Sequence, residues 1–379
     1  MYEYQESNRY FAQVADDIKD ITEAELKSFG AENIEKAYKG VFFTGSQEVL
    51  YKINLQSCLI NRVLAPLISF NCSSEDQLYK SAYQINWENL ISIDNTIAIY
   101  ASVSQSNITH SKFAALKLKD AIVDRFRNLT GERPSVDTRD PDIWLNLHID
   151  NNIAVISLDT SGGSLHRRSY RKESVAAPMV ETLAASIIKI SGWDGSRPLY
   201  DPLCGSGTLL CEAYLHITKT PPAILRTKFG FEKLPDFNET LWRKVRHDVL
   251  NNITPIEKGF IAGSDASQDA VKSALKNCSV IDEKNTIEIK QINMFDIHEI
   301  KNKTIVCNPP YGIRLKKNED LSGFYKQLGD FLKQKCSGST AYIYFGDRMY
   351  LKTIGLRPSM KMPLANGGLD GRLARFELY

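Results

Sequence analysis

The sequence has no Cys-x-x-Cys pair, no apolar run approaching the roughly 20 residues of a membrane span, and no Gly-x-Gly-x-x-Gly dinucleotide fingerprint. Its seven cysteines (58, 72, 204, 211, 278, 307 and 336) are odd in number and scattered. That pattern argues for free thiols in a reducing compartment and against a zinc module, so no metal is expected. The first seven residues carry acids without an apolar core and do not read as a signal peptide. A cytoplasmic protein without membrane contact is therefore expected. Charge of one sign is also scarce: the net value is +2, too small to establish a polyanionic partner, which must be argued from where the basic residues sit. With 43% hydrophobic and 24% charged residues there is no case for disorder, and 379 residues allow two or three domains.

What stands out is the stretch Val306-Cys307-Asn308-Pro309-Pro310-Tyr311-Gly312-Ile313-Arg314-Leu315. Residues 304–307 are β-branched or apolar and read as a buried strand. Pro309 and Pro310 lack N–H groups, so the strand must stop at Asn308. In an open α/β sheet the loop after a strand's carboxyl end faces the ligand crevice, and this one presents Asn308 and Tyr311 to it. The amide offers acceptor and donor atoms, and the ring offers a flat π-face for a planar substrate.

The N-terminal part reads as a small α+β element: strand 9–14, helix 16–29, and strands 34–38 and 41–44. It is too short to stand alone and is expected to dock on the next part of the chain. A second pattern runs from about 46 to 160, with helices near 46–58, 75–84 and 111–128 and strands near 62–70, 96–103, 143–149 and 153–159, the last two forming a hairpin. On helix 111–128 the apolar positions 113, 116, 118, 122, 123 and 126 are expected to face inward, leaving Lys112, Lys117, Lys119 and Arg125 wet. By itself this is a solvated helix face. Ser161-Gly162-Gly163-Ser164 marks a boundary, followed by the densest basic cluster, with Arg167, Arg168, Arg171 and Lys172 interleaved with His166 and Tyr170. Such a cluster suits a phosphate backbone with nearby bases, and a soluble linker equally.

After this linker, strands alternate with helices, as in a parallel sheet. The turn Asp201-Pro202-Leu203-Cys204-Gly205-Ser206-Gly207-Thr208 joins a strand to a helix, and its small residues let backbone approach a ligand. A carboxylate at Asp201 repels a pyrophosphate but suits a cofactor with a cationic amino-acid end. Asp265 and Asp296 end later strands, placed for ribose hydroxyls and an adenine amino group respectively. Any one of these acids is explained as a turn former or cap; the set, with Asn308 at the fourth strand, describes S-adenosyl-L-methionine and a methyl acceptor. Residues 218–257, which separate the first two strands, are too long for an ordinary connection and read as an added subdomain or a substrate arm.

The segments 201–208 and 308–315 resemble the class I S-adenosylmethionine-dependent amino-methyltransferases. With the 165–171 segment and the preceding hairpin, the resemblance narrows to RNA guanine-N2 methyltransferases bearing an N-terminal THUMP domain, closest to the L half of the bacterial 23S ribosomal RNA guanine-N2 methyltransferase. Ala82-x-x-Ile85-Asn86-Trp87, residues 119–124, Pro141-Asp142-Ile143 and Asn366-Gly367-x-Leu369 also match, so the resemblance covers nearly the whole chain. The family's usual glycine before Tyr170 is Ser169 here, and the second methyltransferase half of some relatives is expected to be absent.

The resemblance implies a ferredoxin-like element over 1–50, a THUMP domain over 51–160, a basic linker over 161–173 and a Rossmann-like α/β methyltransferase domain over 174–379. It implies that Asn308 and the Pro309 carbonyl accept the two hydrogens of a guanine N2 amine, that Pro310 stiffens the loop, and that Tyr311 stacks on a flipped base. It also implies that Pro202, Cys204, Gly205, Ser206, Gly207 and Thr208 line the cofactor turn, and that Cys204 and Cys307 are structural. RNA is the implied partner, ribosomal RNA foremost, with Lys112, Lys117, Lys119, Arg167, Arg168, Arg171, Lys172, Arg314 and Lys316 as phosphate contacts. Three alternatives stay open: a transfer RNA guanine, adenine N6 in DNA, and a non-catalytic RNA-binding or ribosome assembly factor.

Overall fold

The computed structural model describes residues 1–174, 179–311 and 321–379, and the chain forms two compact units. Unit 1 comprises Met1–Lys19, Glu23–Leu165 and Arg226–His247; unit 2 comprises Asp20–Thr22, His166–Leu225 and Asp248–Tyr379.

The first part of the chain gives α1 (Glu3–Ser7), β1 (Arg9–Gln13), α2 (Lys19–Ser28), β2 (Glu32–Ala37), β3 (Gly40–Thr44), α3 (Gln47–Gln56), β4 (Arg62–Asn71), α4 (Glu75–Tyr83), β5 (Thr96–Ser104), α5 (Ser111–Thr130), β6 (Ser135–Val136), β7 (Ile143–Asp150) and β8 (Ile153–Asp159). The strands join one sheet of order β2-β3-β1-β4-β8-β7-β5-β6. The small N-terminal element thus does not stand alone: β1 pairs with β4, which pairs with β8. Turn chemistry closes the expected hairpin, because Asn151 and Asn152 both take positive φ between β7 and β8, as a two-residue hairpin turn requires. Side-chain caps start the helices: the hydroxyls of Ser46 and Ser74 accept from the N–H groups of Val49 and Gln77.

Two expectations change here. Phe113 and Leu116 of α5 do not face inward but are 48% and 53% exposed. The buried stripe is Ala114, Leu118, Ala121, Ile122 and Phe126, because the i, i+4, i+7, i+8 spacing starts from the small alanine rather than from the larger neighbours. The long connection beyond 218, expected as an added subdomain or a substrate arm, has its Arg226–His247 part built into unit 1. Phe231 lies 4.6 Å from the Tyr51 ring and 5.0 Å from that of Trp242, and the Gln47 amide donates to the Asp236 carbonyl. Tyr4 of α1, buried, donates to the Asp236 carboxylate.

The remaining elements are α6 (Glu181–Ser191), β9 (Leu199–Asp201), α7 (Thr208–Thr218), α8 (Glu239–Leu250), β10 (Ile261–Asp265), α9 (Gln268–Cys278), β11 (Glu288–Gln291), β12 (Thr304–Cys307), α10 (Leu321–Lys335), β13 (Thr340–Phe345), α11 (Tyr350–Thr353), β14 (Met360–Pro363) and β15 (Arg372–Glu377). In unit 2 the strand order is β11-β10-β9-β12-β13-β15-β14, parallel from β11 to β13 and antiparallel at β15 and β14. It is an α/β sheet with both faces meant for helices, so its central strands read as short apolar runs. The core beneath β12 and β13 includes Ile305, Cys307, Tyr325, Leu328, Ile343 and Phe345. The order reverses between β9 and β12, which is where such a sheet opens its ligand crevice.

Candidate active site

The carboxyl ends of β10, β9 and β12 bring Asp265, Asp201 and Asn308 side by side. Gly263 is in register with Asp201, and Tyr200 with Ile305, so the residues after them emerge at one edge of the sheet. Asp201 is 1% exposed and accepts from the Leu203 N–H at 3.0 Å. Burial, and secondarily the charge of Asp265, push its carboxyl well above the usual carboxylate range. Among the described residues Asp201 has no ion-pair partner. Asp265 is differently placed: its two oxygens accept from the Gly205 N–H at 3.0 Å and the Ser267 N–H at 2.9 Å.

Gly205 and Gly207 both take positive φ, 54° and 80°, and each has its own reason to be glycine. A Cβ on Gly207 would meet Ala274 and Cys278 at 3.2–3.3 Å, whereas one on Gly205 would meet nothing within 4 Å. Gly205 therefore faces open space beside Asp265. Pro202, Cys204, Ser206 and Thr208 are buried or nearly so around this turn, and the Cys204 N–H donates to the Ser264 carbonyl at 2.9 Å. Asp296 ends a short turn over Met294–Asp296 and is exposed, next to Phe295, whose ring lies 5.8 Å from that of Phe324.

Asn308 follows β12, and its Oδ1 is buried without a hydrogen-bond partner among the described residues. Leaving a buried carbonyl-type acceptor unpaired costs about 1–3 kcal/mol, so this atom is an acceptor waiting for a donor. Pro309 is buried, and the Pro310 carbonyl accepts from the Tyr325 hydroxyl at 3.2 Å, which fixes the loop from below. Tyr311 is buried. Its hydroxyl accepts from Asn366 Nδ2 at 3.3 Å, and its ring meets that of Tyr344 edge-on at 6.2 Å. A Cβ on Gly346 would sit 2.4 Å from the Tyr311 ring, so the ring occupies the space which that glycine leaves. The Cys307 and Cys204 thiols are both pushed well above their usual range by burial, which leaves neither as a thiolate nucleophile at neutral pH.

The basic residues divide. In unit 1, Lys112 is exposed, Lys117 lies over the Tyr79 ring and Lys119 pairs with Asp120. In unit 2, Arg167 and Lys172 are exposed, but Arg168 is 3% exposed and paired with Glu212, which also accepts from the Tyr170 hydroxyl. Arg171 pairs with Glu181 at 2.8 Å and donates to the Met179 carbonyl. For Arg168 and Arg171 this corrects the expectation of a phosphate-facing cluster, because reaching a phosphate would strand a buried carboxylate. Arg314 and Lys316 lie outside the described residues. Ser169 takes φ 65°, which explains why a glycine is usual there.

Three contributors lie outside the expected site residues, although Asn366 stands in a segment that carries the family resemblance. Asn277 accepts from the N–H groups of Lys172 and Glu173 and donates to the carbonyls of Glu173 and Ser206, so it ties the basic segment to the 201–208 turn. Gly346 and Asn366 together seat Tyr311.

Comparison with known proteins gives three matching regions. The pattern of an RMKL-like methyltransferase domain matches residues 168–375, that of a THUMP domain residues 72–159, and that of an RlmL ferredoxin-like domain residues 9–64. A putative RNA methyltransferase of Synechocystis is 39% identical over 375 residues, covering 98% of this chain and 97% of the relative. A ribosomal RNA large subunit methyltransferase K/L of Syntrophotalea carbinolica is 36% identical over 384 residues, covering 98% of this chain and 53% of the relative. The chain thus spans about half the length of that K/L relative. Among solved structures, a putative methyltransferase complexed with SAH superposes with a TM-score of 0.86 at 25% identity, covering 98% of both chains.

Proposed function

The chain belongs to the RMKL-like methyltransferase family and carries its THUMP and ferredoxin-like regions; from that premise we propose that it methylates the exocyclic N2 of a guanine in RNA, ribosomal RNA foremost. The observation that carries this reading is the buried, unpaired Oδ1 of Asn308 at the crevice edge, beside the buried carboxylate of Asp201.

S-adenosyl-L-methionine is the cofactor, and when bound it supplies an electrophilic methyl group on a cationic sulfur. The residues present fit it: Asp201 suits its cationic amino-acid end, Gly205 leaves open space, and Asp265 and Asp296 are acceptors for ribose and adenine donors. A guanine N2 lone pair is delocalised into the ring and attacks poorly. In this reading, Asn308 Oδ1 and the Pro309 carbonyl accept the two amine hydrogens, which turns the lone pair toward the methyl group. The prolines and the Tyr325 hydroxyl hold those acceptors still, so orientation provides much of the rate. Tyr311 supports the flipped base, a contact of about 1–3 kcal/mol in single-strand recognition. No thiolate takes part, consistent with the burial of Cys307.

RNA is favoured over DNA by the THUMP region and by the RNA methyltransferases among the relatives. The test is nucleoside mass spectrometry of ribosomal and transfer RNA from cells lacking the protein. Loss of N2-methylguanosine from one ribosomal RNA site, restored by the purified protein with S-adenosylmethionine, is expected. Loss from transfer RNA alone would move the substrate, and loss of N6-methyladenine from DNA instead would overturn the reading.

A further inference from the structure

The edge that carries Asn308 continues past it in the other direction. Cys307 is in register with Ile343, Phe345 with Arg372, and Arg372 with Pro363, so Asn308, Gly346, Arg372 and Pro363 follow one another along the same end of the sheet. Beyond Gly346 the edge opens into a groove of about 760 Å³ between the β13–α11 turn and the β14–β15 hairpin. Its walls carry Arg348, Lys352, Lys361 and Arg372, and its apolar lining includes Met349 and Met362.

The charge balance is positive. Arg348 and Arg372 share the Asp370 carboxylate, and Asp347 also lines the groove, so four cations face two carboxylates, a surplus of two. Lys352 and Lys361 are exposed and have no ion-pair partner among the described residues. Met349 is 60% exposed at the rim. Cations tracking a backbone, with apolar side chains beside them for a base or sugar, are the elements of a single-strand binding groove. Its mouth is built from the segments that seat Tyr311: Gly346 precedes Asp347, and Asn366, which donates to the Tyr311 hydroxyl, lies in the loop leading to Arg372.

We propose that this groove holds the RNA strand on one side of the methylated nucleotide, with Lys352 and Lys361 on its phosphates and Met349 against the neighbouring base or sugar. The proposal rests on the reading of unit 2 as an RNA methyltransferase. The occupant is a polyanion because the unpaired groups are ammonium groups, and a nucleic-acid strand because the groove begins at the base-binding ring.

The test uses the full chain with Lys352→Ala/Lys361→Ala and Lys352→Glu/Lys361→Glu, assayed for methyl transfer to naked RNA from cells lacking the protein. The alanine pair should raise KM for RNA about tenfold with kcat and cofactor affinity unchanged. The salt dependence of log KM should flatten by about 1.4–1.8, the contribution of two phosphate contacts. The glutamate pair should do more. Wild-type KM and salt slope in both variants, with wild-type protein active, would overturn the groove assignment alone. A wild-type protein that methylates no RNA would overturn this proposal together with the reading beneath it. Loss confined to assembled ribosomal particles, with naked RNA unaffected, would assign the groove to an acidic protein partner and also overturn the proposal.

Discussion

On either side of Asn308 the same sheet edge is built in opposite ways. Toward β9, β10 and β11 it carries Asp201, Asp265 and Asp296, with a turn whose carboxylates and amides largely satisfy each other: Asp265 accepts two backbone N–H groups and Asp201 one. Toward β13, β15 and β14 it carries, among the described residues, a surplus of cations, two lysines without an ion-pair partner and, at the junction, an acceptor with no donor. The acidic half is nearly complete as a structure and needs only a cation. On the proposed reading, a polyanion and an amine would complete the other half. Family membership fits this division, since a cationic cofactor and a polyanionic substrate must meet at one atom without exchanging places.

The sharpest way to break the comparison is at the junction. Asn308→Ala should lower kcat by about 10²–10³, the usual loss when one preorganised hydrogen-bonding group is removed, while cofactor affinity measured by calorimetry stays within about twofold. Because its Oδ1 is already unpaired, the variant should be no less stable than the parent. If cofactor affinity fell in step with kcat, the two halves would not be separable.

On the acidic side, Asp201→Asn should weaken cofactor binding about 10–100-fold, as expected for a lost charge-assisted contact. The same change should raise thermal stability. Burial raises the Asp201 pKa above its unfolded value, so the unfolded chain loses this proton at lower pH than the folded one. Stability from this group is therefore full below the unfolded pKa and is lost as pH rises toward the folded pKa; asparagine removes that loss. In a domain of this size each 1 kcal/mol regained appears as about 2–4 °C in Tm. A bound cation favours the carboxylate, so wild-type affinity should fall as pH drops below the raised pKa, and the asparagine variant should show a flat profile there. A falling profile in the variant would assign the titration to another group.

How much of this was legible depended on whether a residue acts through its neighbours in sequence or in space. Asp201, Asp265 and Asn308 end strands, and a strand end is visible in one dimension as an apolar run meeting glycine or proline, so their convergence followed from the alternating pattern. Arg168 and Arg171 look identical to Arg167 in sequence; only the carboxylates of Glu212 and Glu181, supplied by α7 and α6, turn them inward. Periodicity misplaces Phe113 and Leu116 because an alanine stripe one position away packs more closely. The Arg226–His247 segment reads as an insertion in unit 2 because sequence order puts it there, although its aromatic residues complete the core of unit 1.

The cationic side offers a smaller and more local test at Gly346. Nothing in an apolar strand followed by Gly346-Asp347 announces a role, yet a single methyl group there would lie 2.4 Å from the Tyr311 ring. Overlap that close cannot be absorbed in place. The ring is held by Asn366 at its hydroxyl and faces Tyr344 edge-on, so it must tilt out of the position from which, on the proposed reading, it supports a base. Gly346→Ala should therefore lower kcat/KM for RNA about tenfold, the scale of a misplacement that leaves the chemistry intact, and reduce stability by about 1–3 kcal/mol through overpacking. Cofactor affinity should not move, because Gly346 follows β13, which lies on the far side of β12 from the β9 end that carries Asp201. Tyr311→Ala in the same background supplies the discriminating measurement. If Gly346 acts only through the ring, the double variant should be no less active than Tyr311→Ala alone, and its stability should recover. Additive losses would mean instead that Gly346 itself approaches the RNA.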